Sequence, residues 1–179
     1  DAIGPKRVTA AYGNVAYILP ITNKLKLSLG IRAGVVNYVY DFNKINYKDA
    51  GETNALANLG TNRLKPDFDA GLFLKSNSFY FGFSATHLNA AYVYQDKVSY
   101  TNVTGSQTEY DLTYKLNTHI FGIISKGFAV NDNFVINPTI IYKGTKSVGN
   151  IDLDLNFLIK QRVWLGVFAR SSGSVGALV

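Results

Sequence analysis

Two pairs of carboxylates are the positions in this sequence whose spacing could support chemistry. Asp67 and Asp69 form one pair, and Asp152 and Asp154 form the other. Residues two apart on a strand lie on the same face, roughly 7 Å from each other, which is compatible with the acid and base of a glycoside hydrolase. Acids on one face of a sheet more often pair with cations than act as catalysts. The basic residues with the required parity are Arg32, Lys75, Arg162 and Arg170. We therefore predict that these eight side chains form a charge network.

Other chemistry-bearing residues are few. The chain has no cysteine and two histidines, His87 and His119, at no spacing typical of a zinc site. It contains no nucleophile elbow, no P-loop and no dinucleotide-binding glycine motif. The sequence thus predicts a protein that is not an enzyme, with no catalytic residue, metal site or cofactor.

The net charge of +6 is not concentrated in any run of sequence, since no basic run exceeds the pair Lys6–Arg7. Scattered basic residues do not predict nucleic-acid binding. No apolar stretch approaches the roughly 18 to 20 residues of a transmembrane helix, which excludes a helical membrane protein.

The elements that would position these residues are β-strands. Ile151, Leu153 and Leu155 alternate with Asp152 and Asp154, and this period of two is the signature of a strand. The same period recurs at residues 24–40, 67–75, 79–86, 134–143 and 163–170. Less regular strands are predicted at residues 7–19 and 110–126, and a partial one begins at Val175. The prediction is an all-β fold of about eight to nine antiparallel strands.

The connections alternate between short and long. Residues 20–23, 76–78, 130–132 and 160–161 form predicted tight turns, whereas residues 41–66 and 91–108 form predicted long polar loops. This alternation places all tight turns at one end of an up-and-down sheet. One aromatic band is predicted at the long-loop end, comprising Tyr38, Tyr40, Tyr92, Tyr94, Tyr110, Tyr114 and Tyr142. A second band is predicted beside the tight turns, comprising Phe79, Tyr80, Phe81, Phe128, Phe134 and Trp164.

Two aromatic bands and this loop asymmetry are typical of an outer-membrane β-barrel. In such a barrel the apolar face meets lipid and the polar face lines the lumen, so the carboxylates stay hydrated or paired. The predicted lipid-facing residues are Leu27, Leu29, Phe81, Leu153, Leu155 and Leu165. A soluble β-sandwich or a lipocalin-like barrel also alternates, with its apolar side chains inside. Small residues on the polar face, such as Gly30, Gly71 and Gly82, favour the membrane barrel.

Three stretches also resemble a known family. They are "PDFDAGLFLKSNSFYFGFSATHL", "NDNFVINPTIIYK" and "IDLDLNFLIKQRVWLGVFARSSGSVGALV". In order and spacing they resemble the PorP/SprF family, outer-membrane proteins of the type IX secretion system of Bacteroidota. Family members are longer and have an N-terminal Asn-Pro-Ala segment and closing strands. The resemblance therefore implies that residues 1–179 form a single barrel domain that is part of a larger barrel.

The resemblance implies a non-enzymatic, multi-pass protein of the bacterial outer membrane that serves secretion or gliding. Its partners would be outer-membrane lipid, periplasmic lipoproteins and ring components, and a secreted surface adhesin or other cargo. The long loops would then face the cell surface, and the periplasmic machinery would meet the tight turns near Asn23, Asn77, Asp132 and Gln161. Two alternatives remain open at this point, a porin or substrate channel and a soluble β-barrel that binds a small ligand.

Overall fold

The structure, a computed structural model, describes residues 2–3, 6–40, 61–101 and 106–179, and the regular secondary structure there is entirely β-strand. The strands are β1 (Ala2–Ile3), β2 (Lys6–Pro20), β3 (Lys26–Tyr40), β4 (Thr61–Lys75), β5 (Phe79–Thr86), β6 (Tyr92–Thr101), β7 (Gln107–Lys115), β8 (His119–Lys126), β9 (Phe128–Asn131), β10 (Phe134–Gly144), β11 (Gly149–Ile159), β12 (Val163–Arg170) and β13 (Val175–Leu178). In the described ranges no helix has the length and apolarity needed to cross a membrane.

Eleven of the strands form one sheet. Its order is β1-β2-β3-β4-β5-β8-β10-β11-β12-β13, and β9 pairs with β10 beside this path. Setting aside the two-residue β1 and the four-residue β9, which continues β8 after Gly127, leaves nine strands. The predicted all-β, up-and-down antiparallel arrangement is confirmed. Over the described residues the sheet is not closed, because β1 and β13 end the order and are not paired with each other.

Three of the predicted tight turns lie where expected. The turn predicted at residues 130–132 lies at 132–133, because Val130 and Asn131 belong to β9. Two other predictions were wrong. Residues 91–108 are not a long irregular loop, because β6 and β7 pair there as a separate two-stranded sheet. The predicted strand 110–126 is two strands, β7 and β8, separated by residues 116–118. Tyr, Val and Thr are frequent in β6 and β7, and their strand propensity outweighs the polar composition that suggested a loop. The predicted loop 41–66 is shorter, since β4 begins at Thr61, and residues 41–60 lie outside the described residues.

The chain divides into two compact units, and the first comprises the described parts of Asp1–Gly13, Ala33–Asp67 and Asn89–Leu116. Its core consists of Val36, Tyr38 and Val93. Around this core pack Val8, Tyr12, Tyr114 and Leu116. Placing Tyr38 in a lipid-facing aromatic band was therefore wrong, because its side chain is only 5% exposed and packs within the protein. Parity assigns a residue to a face but does not show whether protein covers that face.

The second unit comprises Asn14–Arg32, Phe68–Leu88 and Asn117–Val179. Across β10, β11 and β12 the register places Ile140, Leu153 and Ala169 on one face, and Thr139, Asp154 and Phe168 on the other. We call the first the apolar face and the second the polar face. The apolar face carries large exposed side chains, including Leu29, Ile31, Phe68, Phe83, Ile124, Ile140, Tyr142, Ile151, Leu153, Leu155, Leu165 and Val167. This arrangement inverts that of a water-soluble protein, which buries its apolar face.

Candidate functional site

The polar face holds a three-residue ion cluster centred on Asp152. Arg170 of β12 donates to both carboxylate oxygens, through Nε to Oδ1 at 2.7 Å and through Nη2 to Oδ2 at 2.9 Å. Lys143 of β10 donates from Nζ to Oδ2 at 3.3 Å. Asp152 is 5% exposed and lies directly opposite Arg170 in the β11–β12 register. Because both carboxylate oxygens are engaged, Asp152 ties three neighbouring strands together and is poorly placed to act as a general base.

A second ion pair joins β3 to β4 on the polar face. The Arg32 guanidinium contacts the Asp69 carboxylate at Oδ2. The other oxygen of Asp69, Oδ1, accepts a hydrogen bond from the backbone N–H of His87 at 2.9 Å. Asp69 therefore links two strands and the residue that follows β5, which is a positioning role.

Asp67 belongs to the first unit and is fully buried. Its Oδ2 accepts a hydrogen bond from the Tyr12 hydroxyl at 2.8 Å. A buried carboxylate needs such donors to offset its lost hydration. This contact, which connects β2 to β4, could not be predicted by parity, because Tyr12 lies in a strand whose two faces are not distinguishable in the sequence.

The remaining predicted network residues are dispersed. Asp154 lies on the polar face two residues from Asp152, opposite Thr139 and Phe168. Lys75 is the last residue of β4, and Arg162 lies in the turn between β11 and β12, both exposed to solvent. The structure thus brings together Arg32 with Asp69 and Asp152 with Arg170, and the network as a whole stays a prediction.

Sequence reasoning missed Lys143 as a partner of Asp152. The signal was present, because Lys143 shares parity with Asn137 and Thr139 and is opposite in parity to Ile140 and Tyr142. Those polar residues also interact: the Ser125 hydroxyl lies 2.8 Å from both Asn137 Oδ1 and Thr139 Oγ1, and Ser125 and Thr139 are buried. Polar side chains on β8 and β10 are therefore paired across the strands.

The two histidines meet at the ends of β5 and β8. Their ring centroids are 6.1 Å apart in an edge-to-face arrangement, and His119 also stacks on Phe121. His87 has a positive φ of 55° and accepts a hydrogen bond from Thr118 Oγ1 at its carbonyl oxygen. These contacts fix the short link that leaves β5.

A cavity of about 870 Å³ opens over the polar face in the second unit. Its wall comes from β2, β3, β4, β5, β8 and β10, and includes Gly30, Arg32, Phe73, Phe121, Ile141 and Lys143. The Phe73 ring lies close to Gly82, its partner in the β4–β5 register, and stacks on Tyr80 with a centroid distance of 5.9 Å. Small residues such as Gly30 and Gly82 leave room for this cavity, as suits the inside of a barrel.

The apolar face has the height of a membrane. At about 3.3 Å per residue and a tilt of about 40°, the eleven residues of β11 rise about 28 Å along the membrane normal. This rise is close to the height of the apolar band of outer-membrane barrels, about 25 Å. The predicted lipid-facing residues Leu29, Leu153, Leu155 and Leu165 are all exposed on this face. An exposed apolar face, a polar opposite face and tight turns at one end define an outer-membrane β-barrel protein.

Comparison with known families identifies the family of outer-membrane proteins to which the chain belongs. The whole chain, residues 1–179, matches the family described as type IX secretion system membrane protein PorP/SprF. The chain belongs to the PorP/SprF family, and its place is the outer membrane. Neither the curated proteins nor the solved structures include a significant match. The family and the exposed apolar face contradict the alternative of a soluble β-barrel.

Proposed function

We propose that this protein is a non-enzymatic barrel component of the type IX machinery that supports export or surface anchoring of an adhesin or other cargo, in gliding or secretion. The observation that carries this proposal is the inverted facing of the sheet, with lipid-compatible side chains outside and paired charges inside, in a chain of the PorP/SprF family. The polar face would line the lumen, with Arg32, Asp69, Asp152 and Arg170 as its ion pairs.

The two ends of the sheet would meet different partners. Outer-membrane barrels have short turns on the periplasmic side and longer connections outside. The turns near Asn23, Asn77, Asp132 and Gln161 would therefore face periplasmic lipoproteins and ring components. The β6–β7 hairpin and residues 41–60 would face the cell surface and any cargo held there.

Shortening the outer connections tests this proposal. One variant lacks residues 43–59, and a second replaces residues 95–113 by a short turn, which leaves the β5–β8 pairing in place. Both should assemble in the outer membrane and lose surface display of cargo. Unchanged display in the doubly shortened protein would contradict a role for this end and direct attention to the periplasmic turns. A failure of assembly would show instead that these segments are structural.

A porin or substrate channel is the second candidate, and the cavity over the polar face favours it. Reconstitution in a planar bilayer discriminates the two. Steady single-channel conductance by the purified protein would support a diffusion channel. Cargo-dependent effects without conductance would support the secretion role.

A further inference from the structure

The tight-turn end of the sheet is strongly basic. We define the tight-turn rim as residues 20–26, 75–79, 126–134 and 159–163, all in the second unit. Its charged side chains are exposed to solvent, and they are Lys24, Lys26, Lys75, Lys126, Lys160 and Arg162 against a single acid, Asp132. The chain has 18 basic and 12 acidic residues, so the rest of the sequence is nearly balanced, with twelve basic and eleven acidic. Almost all of the net positive charge therefore lies at this rim.

Folding, and not local sequence, creates this surface. The six cations come from four separate turns or strand ends, which the strand order places side by side at one end of the sheet. Neighbouring tight turns are separated by two strand spacings, about 10 Å. This distance is close to the screening length at physiological salt. Neighbouring cations thus repel each other only weakly, while their summed field can attract and orient an anionic partner.

The register shows which way these cations face. Lys75 pairs with Tyr80, Tyr80 with Ser125 and Ser125 with Thr139, which places Lys75 on the polar face. Lys26 has the same parity as Arg32, which contacts Asp69 on that face. Lys24, Lys160 and Arg162 lie in the turns themselves.

Only Lys126 belongs to the lipid side of the rim. It pairs with Phe79 on the apolar face, and its Nζ lies 5.2 Å from the Phe128 ring centroid. Cations that bind lipid head groups would be expected on the apolar face, with their side chains extended past the aromatic residues towards the head groups. Five of the six cations are instead in the turns or on the polar face, an arrangement that fits an acidic protein surface better than anionic lipid.

We propose that the tight-turn rim docks an acidic protein surface on the periplasmic side. This inference rests on the proposed function for the orientation of the barrel, and it adds the chemistry of the partner. Rim charges of this kind act mainly on the rate of association and on its salt dependence. The complex should therefore form quickly at low ionic strength and weaken as salt is added.

Charge reversal at matched positions tests the proposal. The rim variant is Lys24→Glu/Arg162→Glu, and the control is Arg7→Glu/Lys146→Glu, which changes the net charge equally at exposed sites that do not belong to the rim. Both are purified, checked for the folded form by gel mobility before and after heating, and placed in nanodiscs of zwitterionic phosphatidylcholine. The probe is a fluorescent poly-glutamate of about 20 residues, with poly-glutamine as the uncharged comparison, and binding is followed by anisotropy.

The wild type should bind poly-glutamate and not poly-glutamine, with affinity falling at least tenfold between 50 and 300 mM NaCl. The rim variant should lose at least tenfold in affinity, and the control should stay within twofold of the wild type. Equal losses in both variants, or no binding by the wild type, would overturn the proposal. A single reversal, Arg162→Glu, serves if the double variant does not fold.

Two further outcomes separate the alternatives. Nanodiscs containing phosphatidylglycerol test whether the rim binds lipid head groups instead. The wild type would then enrich this lipid selectively, and the rim variant would lose that enrichment while it still binds poly-glutamate. This result would make the rim a head-group site and overturn the inference. Absence of poly-glutamate binding together with normal cargo display in cells would refute the acidic partner and leave the proposed secretion role standing.

Discussion

Adding one methyl group at Gly82 should destabilise the protein, because Phe73 and Ile123 occupy the space above it. A Cβ at Gly82 would lie 2.9 Å from Ile123 Cγ2 and 2.9 Å from Phe73 Cδ2. Overpacking of this kind costs about 1 to 3 kcal/mol, whereas replacing glycine in a strand by alanine otherwise gains about 0.5 to 1 kcal/mol. The free energy of unfolding of Gly82→Ala should therefore fall by about 1 kcal/mol, within a range of about 0 to 2.5 kcal/mol.

The matched control is Gly122→Ala on the adjacent strand β8. There the nearest atom to the added Cβ is Tyr142 Cβ at 3.8 Å, an ordinary contact. This variant should be neutral or slightly more stable. Urea unfolding in bilayers, followed by the heat-sensitive gel shift of the folded form, measures both.

A double-mutant cycle tests the cause. If the clash with the ring is responsible, Phe73→Ala/Gly82→Ala should recover about 1 kcal/mol relative to the sum of the single variants. A Gly82→Ala protein as stable as Gly122→Ala would refute the close packing at Gly82. Additive effects would assign the destabilisation to Ile123 and not to the Phe73 ring.

Three other outcomes are expected. Arg170→Gln should lower the unfolding midpoint more than Lys143→Gln, because Arg170 makes two short contacts with Asp152 and Lys143 one longer contact; the reverse order in thermal melts would contradict the cluster. Leu153→Arg, on the apolar face, should cost about 2 to 4 kcal/mol, seen as loss of the folded form in bilayers, and normal stability would show that this face does not meet lipid. Ser125→Ala should lower the free energy of unfolding by about 1 to 2 kcal/mol, since the buried Thr139 and the half-buried Asn137 each lose a hydrogen bond; a neutral effect in urea unfolding would place water at that site.

Some of the fold was predictable because a strand has a period of two. The alternation around Asp152 and Asp154 indicated two faces and their polarity, and the structure retains both. That period depends only on the backbone, so it holds wherever the strand pairs. The turn positions followed from local residue types in the same way.

The missed features depend on contacts between distant residues. Nothing local distinguishes Tyr38, which packs with Val93 from β6, from a tyrosine at a lipid boundary. The bond from Tyr12 to Asp67 joins residues 55 apart in sequence. The tight-turn rim could not be predicted from the sequence for the same reason, since its cations are scattered along the chain and only the order of the strands brings them together.

The β6–β7 hairpin has a consequence for the speed of folding. Thr86 pairs with His119, so 32 residues must be closed into a loop before β5 and β8 can meet. A hairpin forms locally within microseconds, and once Tyr92 pairs with Lys115 only the two short links on either side remain to be ordered. The entropic cost of closing the loop is then that of about ten residues and not of all 32, which lowers this cost by about 1 kcal/mol. The hairpin thus adds surface without greatly delaying the pairing of β5 with β8.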